Sequence, residues 1–292
     1  MSMLNWNFEK LSAAQYETNT YEITEEYKSI SVITDCADVV FEASQDTTVV
    51  CHEQSNMKHL VSVKDGVLLI EIHDTRKWHE HIGVNFDTSK ITVSLPQGAY
   101  DALSIKGDTG DVKLPHDFTF ESLDVSTSTG NINSQASVRG AVTIKASTGD
   151  ICLDGISAGS LDLSVTTGKL EASFVSCEGD VTVGISTGKT VLKDLSCKNL
   201  TSSGVSGDVL LENVISTGKM SVERTTGSVK LVECDAAEVF VKTDTGRIDG
   251  SFLSEKIVFA QSNTGKINVP KSTVGGKCEI ITNTGDIKIQ IP

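Results

Sequence analysis

The sequence predicts an all-β fold, a single-stranded parallel β-helix or solenoid of about ten regular 19- to 20-residue coils behind a less regular β cap. Two observations predict it. The first is a turn that recurs with its glycine at 110, 130, 149, 168, 188, 207, 227, 246, 265 and 285, always 19 or 20 residues apart. The second is an apolar period of two on both sides of that glycine, which is the signature of strands and not of helices.

The turn itself reads Asp108-Thr109-Gly110-Asp111, Ser128-Thr129-Gly130-Asn131, Ser147-Thr148-Gly149-Asp150, Thr166-Thr167-Gly168-Lys169 and Ser186-Thr187-Gly188-Lys189. It continues as Val205-Ser206-Gly207-Asp208, Thr225-Thr226-Gly227-Ser228, Asp244-Thr245-Gly246-Arg247, Asn263-Thr264-Gly265-Lys266 and Asn283-Thr284-Gly285-Asp286. These residues form a structural turn ladder, in which glycine supplies the backbone freedom and the hydroxyl before it meets the bending chain. Seven residues before each glycine stand residues such as Leu103, Leu123 and Val142; two after it, Val112, Ile132 and Ile151. Near the middle of the repeat Phe118, Val138, Ile156, Val175, Leu195, Val214, Cys234 and Leu253 supply a further inward residue per copy. Two short strands cannot bury their apolar faces alone, whereas stacked copies share one continuous core. At ~4.8 Å per coil, ten coils make a rod of roughly 50 Å. Parallel crossovers predict a right-handed coil.

Three segments follow from this pattern: a capping segment over 1–27, irregular β-structure continuous with the solenoid over 28–100, and regular repeats over 101–292. Eleven of the 15 aromatic residues fall in the first 120, which marks the cap. Lys64-Asp65-Gly66 fits a hairpin turn. At the other end Ile287-Lys288-Ile289-Gln290-Ile291-Pro292 alternates with no cap, so Lys288 and Pro292 are expected to guard an edge there, or another subunit to cover it. Arg224 shares the parity of a small inward series (Gly107, Thr127, Ala146, Val165, Ile185, Gly204), and its long side chain is expected to snorkel outward.

A net charge of −14 argues against nucleic acid and anionic lipid as partners. No run reaches the ~20 apolar residues of a spanning helix, and residues 1–10 lack a signal-peptide pattern, so no membrane insertion and a cytoplasmic location are expected. The alternative is envelope association through a partner. Seven scattered cysteines give neither a disulfide framework nor zinc spacing. Cys177 and Cys197 stand at equivalent places in successive repeats, within disulfide reach, and are expected as stacked thiols in a reducing compartment.

The phrase Asp65-Gly66-Val67-Leu68-Leu69-Ile70, the strand ending at Leu95-Pro96 and the serial S/T-T-G-D/K turns resemble the large bacterial family of β-helical repeat proteins called putative adhesins. The resemblance spans about 28–292. It implies a β-solenoid and, for many members, a place at the cell envelope.

Chemistry-bearing residues are sparse. In the run Ile72–His81, His79 and His81 would share one side of an extended segment, and Asp74 or Glu80 could complete a zinc or nickel set. No second spaced ligand pair accompanies them, so a solvated loop is the expected outcome and no cofactor is expected. The reading that fits best is a non-enzymatic scaffold presenting its repetitive surface to a protein partner or to itself. The alternative is a carbohydrate-binding or polysaccharide-processing β-helix, with carboxylates paired among Asp108, Asp111, Asp150, Asp208, Asp244 and Asp286.

Overall fold

A computed structural model describes residues 15–74 and 89–292. All of its regular structure is strand. In chain order these are β1 (Tyr16–Ile23), β2 (Ser29–Thr34), β3 (Ala37–Ser44), β4 (Thr47–Gln54), β5 (Met57–Lys64), β6 (Val67–Asp74) and β7 (Ser89–Pro96). From there each circuit of chain gives a strand and then a partner on the opposite side: β8 (Gly98–Thr109) and β9 (Val112–Leu114), β10 (Phe118–Thr129) and β11 (Ile132–Ser134), β12 (Ser137–Thr148) and β13 (Ile151–Asp154), β14 (Ser157–Thr167) and β15 (Leu170–Cys177), β16 (Asp180–Thr187) and β17 (Thr190–Cys197). Next come β18 (Asn199–Ser206), β19 (Val209–Thr226), β20 (Val229–Thr245), β21 (Ile248–Phe252), β22 (Lys256–Thr264), β23 (Ile267–Asn268), β24 (Gly276–Thr284) and β25 (Ile287–Gln290). Strands β19 and β20 bend from one side of the coil to the other.

The strands stack into two parallel ladders that close a core between them, giving a solenoid of about ten turns. Inward residues repeat in columns, so that Leu103, Leu123, Val142, Leu161, Val181 and Leu200 lie one above another and are buried. From Gly110 to Gly227 the amide of each turn glycine donates to the residue before the next one, as in Gly130 N to Thr148 O at 3.0 Å and Gly188 N to Ser206 O at 2.8 Å, whereas Gly246 N reaches Thr284 O and Gly285 N reaches Thr264 O.

The stacking order departs from sequence order at both ends. Strand β2 lies between β6 and β8, and β3 between β7 and β9, so the coil 29–44 sits inside the coil that follows it in sequence. At the other end β24 lies between β20 and β22, and β25 between β21 and β23. The expected guarded edge at residues 287–292 is thereby corrected. β25 is an interior strand, and the outermost coil is β22 with β23. At the opposite end β1 adds antiparallel to β4, and β4 antiparallel to β7. The β5–β6 hairpin turns through Asp65 and Gly66, both at positive φ (51° and 75°), as a two-residue primed turn requires. Tyr100, Phe118, Phe120 and Phe41 pack ring on ring beneath this cap.

The mid-repeat series is also corrected. It resolves into two adjacent columns. Ile156, Val175, Leu195, Val214 and Cys234 belong to one, whose register continues to Ala136 and Phe118 on one side and Phe252 on the other. Val138 stands in the neighbouring column, between Phe120 and Ala158. Leu253 is 50% exposed because the register shifts between Leu231 and Cys234, which brings Phe252 inward in its place.

At one corner of the coil successive turns use a left-handed residue: Gly155, Phe174, Asp194, Asn213 and Glu233, with φ between 48° and 65°. Asp and Asn tolerate this region, and a bulky side chain does not. Phe174 is 64% exposed, so removing its ring forfeits little burial. Phe174→Gly is therefore expected to stabilise the rod by about 1 kcal/mol. A urea midpoint that moves up with an unchanged slope would show it, and a lower midpoint would refute it.

Candidate functional site

Four features of the structure carry polar chemistry or an unfilled valence: the carboxylates of the turn ladder, a buried cluster in the cap, a buried arginine in the core, and the outermost coil.

The ladder carboxylates are engaged by the backbone. Asp111 Oδ1 accepts from Asn131 N at 2.8 Å, Asn131 Oδ1 from Asp150 N at 3.0 Å, and Asp150 Oδ1 from Lys169 N at 2.7 Å. Asp208 Oδ1 receives Ser228 N and Asp286 Oδ1 receives Lys266 N, both at 2.8 Å. Asp244 accepts from the Asn283 side chain. Each of these five carboxylates thus ties to the adjacent coil. Asp108 borders a shallow depression shared with Asp35, Ser126 and Thr127. A groove of about 570 Å³ on the opposite side of the rod runs past Phe41, Leu114, Pro115 and Cys152. Its acidic residues are tied down as well, since Gln135 donates to Asp154 and Lys169 pairs with Glu171.

Within the cap, Cys51 and Glu53 alternate on the inner face of β4, and His59 faces them from β5. All three are at most 1% exposed. Glu53 Oε2 lies 2.7 Å from His59 Nδ1 and accepts the His59 amide at 2.8 Å. The outer atoms of both side chains have further partners. Asn19 Nδ2 donates to Glu53 Oε1 at 3.0 Å, and His59 Nε2 meets Thr34 Oγ1 at 3.0 Å. Tyr21 closes the cluster by donating to His59 O. Burial, aided by the Glu53 carboxylate, pushes the Cys51 thiol up to about 12. The sequence signal for this cluster is Cys-x-Glu followed by a histidine six residues after the glutamate. It becomes legible only once the turn at Ser55–Asn56 is known.

Arg224 corrects a further expectation. It turns inward and is 4% exposed. Gly204 lies beside it in the ladder, and a Cβ there would come within 3.1 Å of the guanidinium carbon. Ser202 and Thr190 replace the aliphatic residues of their columns and accept from Arg224 NH2 at 3.0 and 2.9 Å, while NH1 donates to Glu223 O. Its Nε finds no partner among the described residues. Burial holds the guanidinium down at about 10.

The outermost coil has no described strand beyond it. From Ile257 to Gly265 the sequence holds no charged side chain. Phe259 and Ile267 are exposed, and Val258, Ala260 and Val269 only partly cover the core behind them. The cap end differs: its outer strands carry Glu17 and Glu22 on β1 and Lys58 and Lys64 on β5, with Lys58 paired to Glu17.

The remaining site candidates from the sequence are placed as follows. His79, His81 and Glu80 lie outside the described residues, and Asp74 closes β6. Cys177 and Cys197 are buried free thiols in adjoining strands β15 and β17. Among the described residues no helix is long and apolar enough to cross a membrane.

Comparison with known proteins adds the following. A family model described as Toastrack DUF4097 matches residues 27–184 and 176–292. No curated protein matches the chain. Solved structures similar to it include a putative adhesin from Bacteroides fragilis, 18% identical, with a TM-score of 0.48 and coverage of 94% of this chain and 97% of that one. A putative adhesin from Parabacteroides distasonis is 13% identical, with a TM-score of 0.49 and the same coverages of 94% and 97%. A putative lipid binding protein from Parabacteroides distasonis is 15% identical, with a TM-score of 0.46 and coverages of 94% and 96%.

Proposed function

Since this chain belongs to the Toastrack DUF4097 family, whose matches run from residue 27 to 292, we propose that it is a non-enzymatic interaction scaffold that joins a second copy of itself through the outermost coil. The observation that carries this reading is the uncharged edge at Ile257–Gly265, backed by a core that Val258 and Ala260 only partly close. Edges of this composition recruit strands, and natural rods blunt them with charge. Here the cap end is blunted in that way, whereas the outermost coil carries charge only at its flanks, the buried and paired Lys256 and the turn residue Lys266. One open and one guarded end favour a closed twofold pair over a filament, because an isologous contact consumes the single open end of each copy. Four of the ladder carboxylates, Asp111, Asp150, Asp208 and Asp286, are committed to backbone amides, which speaks for a scaffold over a sugar-cleaving surface.

Light scattering on the full chain during size exclusion tests this. The expected result is a dimer that Phe259→Lys combined with Gln261→Lys converts to a monomer of unchanged circular dichroism. A wild-type protein that stays monomeric at its highest soluble concentration would overturn the proposal, as would a dimer indifferent to the two lysines.

A further inference from the structure

The cap cluster is more than a buried hydrogen-bonded pair. We propose that Cys51, Glu53 and His59 bind one divalent ion of the zinc class between β4 and β5. Their ligand atoms, one sulfur, one oxygen and one nitrogen, all lie within 4.8 Å of one another. A borderline-soft ion favours this mixed donor set, whereas magnesium and calcium favour oxygen alone. Tetrahedral zinc bonds of about 2.0 to 2.3 Å set donor atoms roughly 3.3 to 3.8 Å apart. Seating an ion therefore requires the 2.7 Å contact between Glu53 Oε2 and His59 Nδ1 to open by about 0.6 to 0.8 Å, with the ion taking its place.

The surroundings form a second and independent line of argument. Histidines that ligate metals hand their other ring nitrogen to an acceptor, and ligating carboxylates are held by donors. Both supports are present. Thr34 Oγ1 stands at His59 Nε2, and Asn19 Nδ2 holds Glu53 Oε1, so the atoms left facing the centre are Nδ1, Oε2 and the Cys51 sulfur. Most inward positions of the rod are filled by apolar side chains, which cost nothing to bury. A carboxylate 1% exposed is expensive to bury without a compensating charge, and a dication supplies one. With all three ligands out of reach of solvent, the ion enters as the cap folds, and its binding energy becomes folding energy.

The test is to refold the full chain with cobalt(II) or zinc(II), desalt it, and measure retained metal. One ion per chain is expected, with a thiolate-to-cobalt charge-transfer band and a higher melting temperature for the zinc form than for protein refolded in chelator. Cys51→Ser should abolish the band while keeping the strand circular dichroism. X-ray absorption on the wild-type zinc protein, which needs no variant, should show one sulfur in a nitrogen and oxygen shell. The proposal is overturned if no metal is retained or if the shell contains no sulfur. It is equally overturned if the band survives Cys51→Ser and disappears in His79→Ala combined with His81→Ala.

Discussion

Gly188→Ala is expected to prevent the rod from folding, or to destabilise it by more than about 4 kcal/mol, a loss reserved for severe mechanisms. A Cβ at this position would lie 1.7 Å from the carbonyl oxygen of Gly168 in the coil behind, and φ is +140°, where L-residues are strained whatever the space. Neither coil can withdraw. Gly168 N donates to Thr187 O and Gly188 N to Ser206 O, so a shift at one turn breaks contacts in both neighbours. Gly155→Ala is the control. There φ is +65° and nothing lies within 4 Å of the added carbon, so only the left-handed penalty of about 1–2 kcal/mol applies. Chemical denaturation of the two variants side by side separates the mechanisms. Equal losses would mean that close stacking of the coils at this corner is not what demands glycine.

The second large effect is expected at Arg224. Arg224→Ala should cost about 2–4 kcal/mol, because it removes a packed stem and strands the hydroxyls of Thr190 and Ser202 inside two otherwise apolar columns. Making all three positions apolar together should have the opposite sign. In Thr190→Val, Ser202→Val and Arg224→Met combined, no buried charge or unpaired hydroxyl remains and methionine keeps the volume of the stem. Such replacements of buried ionic groups are neutral or stabilising by about 1–4 kcal/mol. If the triple variant is no more stable than Arg224→Ala, the guanidinium is holding the coils together through interactions beyond these three.

The regular coils were legible in the sequence because each carries the same two signals, a glycine that admits no side chain and alternating apolar residues. The order in which coils stack was not. A strand such as Ile287–Gln290 presents the same alternation whether it lies inside the rod or at its end, and periodicity is silent about which neighbour it takes. Leu253 and Val138 were misplaced for a related reason. Bulges shift the register by a residue or two, and where Phe252 and Leu253 stand side by side the pattern does not choose between them. Arg224 misled because the room it occupies comes from Gly204, Ser202 and Thr190, scattered over two earlier coils. The cap cluster was illegible because Cys51 and Glu53 meet His59 only through a turn that carries no glycine, while the conspicuous histidines at 79 and 81 drew the metal chemistry to a segment outside the described residues.

The nested order at the far end bears on how the molecule is made. A chain leaving the ribosome adds most coils as they appear, since each lands on the one before it. Residues 256–268 have no such landing place. Their partners, β24 and β25, are translated afterwards, so this coil stays undocked until residues 276–290 are free to fold, and then two layers settle in one step. During that interval Phe259 and the uncharged segment around it are at their most available to other chains.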